Sequence, residues 1–200
     1  MPEQVPVSRA EQDRARYEPL TSSVRRLIDA TIRSEADEQA VRQAHALIDQ
    51  AVALLSSRLM PGSFGLRHDT DGNPMVWGNV AIGLRNAIAP PLRVHHQGGR
   101  AWAEVTLGAP YEGPPGQVHG GVCALLLDHV LGATAHRPGA PAFTGTITLR
   151  YLRATPLGVP LRTEAWVDRE EGSKTFALGQ ISDHDGVVTV RGEGVFIRPG

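Results

Sequence analysis

Asp128 is the residue whose setting asks for a chemical explanation. It sits within Gly120 to Ala135, where Val122, Cys123, Ala124, Leu125, Leu126, Leu127, Val130 and Leu131 leave little polar face. A helix apolar nearly all round has to be buried, and an unpaired carboxylate inside it is costly. Either Asp128 is satisfied by core partners or shares a solvent-facing stripe with His129, or it does chemistry. Just upstream, Val118-His119-Gly120-Gly121 stands where that helix must begin. The free N–H groups of a first helical turn point at an incoming electronegative atom, and glycine lets a ligand come close. His119, Gly120 and Gly121 thus have the make-up of an oxyanion hole, each donor worth on the order of 3 to 4 kcal/mol; closure of a tight loop-to-helix turn is the structural alternative. Nine positions separate His119 from Asp128, roughly 13 Å of helix. Within one subunit the two cannot easily act on one atom, whereas a site built from two subunits resolves the distance.

The elements around these residues are legible from periodicity. Val41, Ala44, Leu47, Ile48, Ala51, Leu54 and Leu55 give the three-and-four spacing of an amphipathic helix over Glu35 to Leu59, ended by Pro61-Gly62. A shorter helix over Ser23 to Ile32, with Ser22 or Ser23 as N-cap, precedes it, and the first 15 or so residues read as mobile. Asp71-Gly72-Asn73-Pro74 reads as a turn between short extended pieces. From Leu92 the pattern becomes short β runs: Leu92 to His96 and Ala101 to Leu107 around Gly98-Gly99, then, after the apolar helix, Phe143 to Arg153, Pro160 to Arg169, Lys174 to Ser182 and Val187 to Arg198. Sequential hairpins and one long apolar helix between them give an α+β hotdog fold, an antiparallel sheet wrapped around that helix. The division expected is a helical extension over 1–60 and a hotdog domain over 61–200. One sheet covers only one side of the helix and its edges need pairing, so a homodimer is expected.

Composition narrows the function. A net charge of −1 over 200 residues gives no reason to expect nucleic acid or an anionic membrane as partner. No apolar run reaches the roughly 18 residues of a membrane span. The N-terminal stretch lacks a signal-peptide core and mixes arginine with acidic residues, so a cytoplasmic protein is expected. Cys123 is the one cysteine; on an apolar helix it reads as a packing residue. His95, His96, His119 and His136 have no metal-ligand spacing, so no metal is expected. There is no Gly-x-Ser-x-Gly elbow, Walker loop or dinucleotide fingerprint.

Tyr111-Glu112-Gly113-Pro114-Pro115-Gly116-Gln117-Val118-His119-Gly120-Gly121, followed by Asp128 and Thr144, resembles the PaaI-like hotdog thioesterases, and most closely their THEM-type acyl-CoA branch. The likeness covers about Pro90 to Arg198. It implies hydrolysis of an acyl-CoA thioester, with Asp128 as general base or nucleophile, the glycine N–H after His119 polarising the carbonyl, and Thr144 helping to orient water. It also implies sites at the dimer interface, where the turn of one subunit faces the aspartate of the other, with a dimer of dimers as an alternative assembly. One position departs from the pattern: Gly113 stands where some of these enzymes have asparagine. CoA would enter as part of the substrate, with no separate cofactor, and Arg150, Arg153 and Lys174 are candidates for its phosphates. The rivals are a hotdog hydratase or dehydratase, and a non-catalytic acyl-CoA-binding or scaffold protein.

Overall fold

The first helix starts where two side chains satisfy each other's neighbours. The Ser8 hydroxyl accepts from the Glu11 N–H at 3.2 Å, and the Glu11 carboxylate accepts from the Ser8 N–H at 2.8 Å, a capping box that fixes a helix start. In the computed structural model, which describes residues 8–69, 72, 74–90, 92–136 and 141–199, α1 therefore runs over Arg9–Arg33 with Pro19 inside it. The helix expected from Ser23 is thus longer at its front, because the cap is Ser8 and the proline does not end it. Asp37 caps α2, Glu38–Ser56, by accepting from the Ala40 N–H at 2.8 Å. No residue of α2 is buried. Arg67–His68 (β1) pairs antiparallel with Pro74–Met75 (β2); Asp71 and Asn73 of the expected turn lie outside the described residues. These elements belong to a first compact unit, which runs to Asn79 and includes Gly83–Ala87. Within it Phe64 stacks on Trp77 and Arg85 lies over the Tyr17 ring.

The second unit, Val80–Ile82 and the chain from Ile88 onward, carries the apolar helix. Its strands are β3 (His95–Gln97), β4 (Arg100–Thr106), β5 (Phe143–Tyr151), β6 (Pro160–Glu171), β7 (Lys174–Ser182) and β8 (Val188–Ile197), with α3 (Gly120–Ala135) between β4 and β5. They form a six-stranded antiparallel sheet in the order β3-β4-β6-β7-β8-β5. The expected hotdog architecture is present, and each expected strand appears, β3 beginning at His95 instead of Leu92. α3 buries Cys123, Leu126, Leu127, Val130, Leu131 and Ala135 against it.

Two strand glycines set how closely the helix approaches. A Cβ on Gly179 would lie 3.2 Å from Leu131 Cδ2, and one on Gly192 would lie 3.4 Å from the Cδ1 atoms of Leu127 and Leu131. Leu131 thus packs directly on the bare backbone of both strands, and a Cβ on Gly179 would press it back by a few tenths of an ångström. The opposite side of α3 is less covered, with Val122, Leu125, Asp128 and His129 half-buried. β5 is an open edge: Ile147 and Leu149 are half-buried and its other residues are exposed. Removing the Leu131 side chain should leave a cavity under the helix. Leu131→Ala is expected to cost about 2 to 5 kcal/mol in a urea unfolding titration; a loss below about 1 kcal/mol would mean that this contact does not hold α3 to the sheet.

Candidate active site

The start of α3 is held from several directions. The Val118 N–H donates to Thr155 O, the His119 N–H to Tyr111 O and the Gly113 N–H to Gln117 O, each at 2.9 Å. A Cβ on Gly113 would lie 2.7 Å from His119 Cα, so no side chain fits there, and the asparagine of the related pattern has no room in this loop. His119 is the N-cap through its imidazole, an unusual cap: Nδ1 accepts from the Gly121 N–H at 2.9 Å. An accepting Nδ1 puts the ring proton of the neutral imidazole on Nε2. The His119 carbonyl accepts from the Val122 N–H at 2.9 Å and the Cys123 N–H at 3.2 Å. Of the first four N–H groups of α3, only that of Gly120 has no partner among the described residues. Of the two glycines expected together as donors, Gly120 keeps an unpartnered N–H among the described residues, while the Gly121 N–H is occupied by His119 Nδ1.

A buried polar thread ties this end of α3 to the sheet. Cys123 Sγ donates to Thr155 Oγ1 at 3.6 Å, Thr155 Oγ1 to Thr189 Oγ1 at 2.9 Å, and Thr189 Oγ1 to Ile181 O at 3.3 Å. Burial pushes the Cys123 thiol up, which suits a packing residue and not a nucleophile. Beside Gly120 opens a cleft of about 300 Å³ lined by Val118, Gly120, Cys123, Tyr151, Arg153 and Thr155 among others.

Asp128 lies two turns further along, half-buried, and accepts from Thr144 Oγ1 at 2.9 Å. Strict alternation along β5 would not bring Thr144 there. Ile147 and Leu149 pack on the core, so Thr146, Thr148 and Arg150 face the other way, and so would Thr144. A bulge between Thr144 and Thr146 changes the parity: Thr146 pairs with Val195, but Thr144 pairs with the buried Phe196. The extra residue is Gly145, where a Cβ would lie 2.9 Å from Ile197 Cδ1. A bulge that re-aims a side chain next to a site is a recurrent device, and the strand glycine is its sequence signal.

Arg153 lines the cleft, whereas Arg150 and Lys174 do not. Arg150 pairs in register with Arg191, and both are exposed. Lys174 lies across from Ile197 at the Thr144 end of the sheet. Tyr151, absent from the sequence expectations, donates its hydroxyl to Gly120 O at 2.9 Å. Among the described residues no group of three His, Cys, Asp or Glu could hold a metal, and no helix is long and apolar enough to cross a membrane.

Residues 115–190 match the family model described as Thioesterase superfamily. Over 90% of this chain and 94% of the other, the protein is 33% identical to a thioesterase superfamily protein of known crystal structure, with a TM-score of 0.80. The chain belongs to the thioesterase superfamily. It is also 39% identical over 77 residues, 38% of its length, to acyl-coenzyme A thioesterase THEM4 of Xenopus laevis. That match spans 35% of the THEM4 protein, and the match to a second curated relative spans 37% of it. The E. coli PaaI protein from the phenylacetic acid degradation operon shares the fold, at 20% identity and a TM-score of 0.52 over 55% of this chain and 80% of that one.

His129, next to Asp128 and half-buried, gives the helix a pH dependence. Burial holds its imidazole below the ordinary value, outweighing the raising effect of the Asp128 charge. Unfolded, it takes up a proton near its ordinary value of about 6.5; folded, it resists until lower pH. The unfolded state therefore binds more protons in that window, and stability falls as pH drops below about 6.5. Urea unfolding between pH 7 and 5 should show this fall, and His129→Gln should flatten part of it. Equal slopes for the two proteins would contradict the assignment.

Proposed function

We propose that the protein is a homodimeric acyl-CoA thioesterase, hydrolysing a fatty or other acyl-CoA to the free acid and CoA with no separate cofactor. The observation that carries this reading is Asp128, held by the Thr144 hydroxyl at 2.9 Å inside the most apolar helix of a thioesterase superfamily chain. The unpartnered Gly120 N–H supplies the complementary half. Eight residues of helix separate them, about 12 Å, so the reacting carbonyl meets Gly120 of one subunit and Asp128 of the other.

The β5 edge supports that pairing. If β5 joins its counterpart antiparallel across a two-fold axis, the Tyr151 end of one strand lies beside the Thr144 end of the other. This brings Gly120 of each subunit toward Asp128 of its partner. It also covers the half-buried Val122 and Leu125 side of α3 and closes the open edge.

In the reaction, the thioester oxygen docks on the Gly120 N–H. Asp128 of the partner takes a proton from water, whose oxygen attacks the carbonyl carbon; the oxyanion collapses, the C–S bond breaks, and the thiolate takes the proton back. Direct attack by the carboxylate, followed by hydrolysis of the anhydride, is the alternative order. Thr144 fixes one carboxylate oxygen and leaves the other to act. In this reading Arg153, which lines the cleft, meets the CoA phosphates, with Arg150 and Lys174 as further contacts. Acyl metabolism in the cytoplasm is the setting that fits this substrate and the single cysteine.

Thiol release from acyl-CoAs of graded chain length tests the reading. Asp128→Asn should lose about a hundredfold or more in kcat while staying folded. Gly120→Pro removes the N–H while keeping the helix start, since proline suits the first helical position, the extended His119 (ψ 134°) suits a residue before proline, and the added Cβ meets the Tyr151 ring at 3.4 Å, an ordinary contact. It should lose on the order of a hundredfold to a thousandfold. Absence of thiol release from every acyl-CoA by the wild type, or full activity in Asp128→Asn, would overturn the proposal.

A further inference from the structure

Tyr151 takes no part in the steps above, yet it touches the residue on which they depend. It closes β5 on the same face as Thr144, opposite Val190 of β8. Its hydroxyl donates to Gly120 O at 2.9 Å, and a Cβ on Gly120 would lie 3.4 Å from its ring. On the other side of the same peptide, the Gly121 N–H donates to His119 Nδ1 at 2.9 Å, and a Cβ on Gly121 would lie 3.1 Å from that nitrogen. The Gly120–Gly121 peptide is thus pinned at both its oxygen and its nitrogen by two aromatic side chains. The preceding peptide is pinned through His119 O, which accepts from Val122 and Cys123.

Two adjacent glycines have the widest backbone freedom available, and they stand at a helix terminus, where fraying is easiest. Left unpinned, Gly120 would turn its N–H through many directions and offer a carbonyl a poorly aimed donor. We infer that Tyr151 is a positioning residue for the hydrolysis, clamping the Gly120–Gly121 peptide from β5 so that the Gly120 N–H stays aimed at the thioester oxygen. This rests on the thioesterase reading. It also bears on the second glycine: a Cβ on Gly121 would lie 3.1 Å from His119 Nδ1, tighter than an ordinary contact, so a side chain there would press on the ring that pins the peptide. Burial pushes the Tyr151 hydroxyl up, so it stays a donor well into the alkaline range.

The clamp makes β5 the carrier of both halves of the site. Thr144 near its start holds Asp128, Tyr151 at its end holds Gly120, and the Gly145 bulge is what puts both on one face.

Tyr151→Phe removes only the hydroxyl from a ring that is 55% exposed, so folding is left intact. Loss of one aligning hydrogen bond should lower kcat about five- to tenfold. KM for the preferred acyl-CoA should stay within about twofold, since ground-state binding is not what the clamp supplies. In protein labelled with 15N-glycine, the Gly120 and Gly121 amide resonances should shift and broaden, while those of Gly179 and Gly192 stay in place. Wild-type turnover with an unchanged kcat in Tyr151→Phe, or unmoved Gly120 and Gly121 resonances, would overturn the inference and leave the thioesterase reading standing. A wild type that releases no thiol from any acyl-CoA would overturn the thioesterase reading, and the clamp's role with it.

Discussion

An α-helix rises about 1.5 Å per residue, and that fixed step sets the terms for the second unit. Among the described residues the one unpartnered N–H at the start of α3 belongs to Gly120, and the one carboxylate in the helix interior belongs to Asp128. No rotamer or loop movement brings them to a common atom within one chain. The chain instead fastens each end to the same strand: Thr144 donates to Asp128 and Tyr151 donates to the Gly120 carbonyl. In the proposed dimer the open β5 edge carries the logic of the site, because antiparallel self-pairing of a strand exchanges its ends.

Packing fixes where α3 lies. Gly179 and Gly192 give the helix its close seat under Leu127 and Leu131, and the Cys123–Thr155–Thr189 thread anchors its first turns to the sheet. A donor aimed at a developing oxyanion gains most when it needs no reorganisation during the reaction. A helix seated this tightly at its middle and tied at its start has little left to reorganise.

Much of this was legible in the residues. The alternating runs after Leu92 and the apolar stretch after Gly121 carry the sheet and its helix, because burial on one face leaves a period-two pattern and burial nearly all round leaves none. Asp128 stood out for the same reason. What periodicity could not give was the side on which Thr144 falls: the Gly145 bulge reverses its parity, and a count of alternating positions points it away from Asp128. Resemblance to a family placed Thr144 where alternation would not. Nor could the pattern separate Gly120 from Gly121, because which N–H stays free depends on the His119 rotamer. Tyr151 was hidden by distance in sequence, 31 residues from Gly120, with no local motif to mark it. At the other end of the chain, the Ser8 and Glu11 capping box was present in the sequence and outweighs Pro19, which lies well inside α1.

The central claim is that each active site takes Gly120 from one subunit and Asp128 from the other, and mixing tests it most directly. Gly120→Pro and Asp128→Asn, each inactive alone, are unfolded together and refolded as one population. Random pairing makes half of the dimers hybrids, and each hybrid has one site with both wild-type groups and one with neither. Thiol release should therefore return to about a quarter of the wild-type rate. A mixture as inactive as its two components would contradict a shared site, because a site confined to one chain gains nothing from a partner damaged elsewhere.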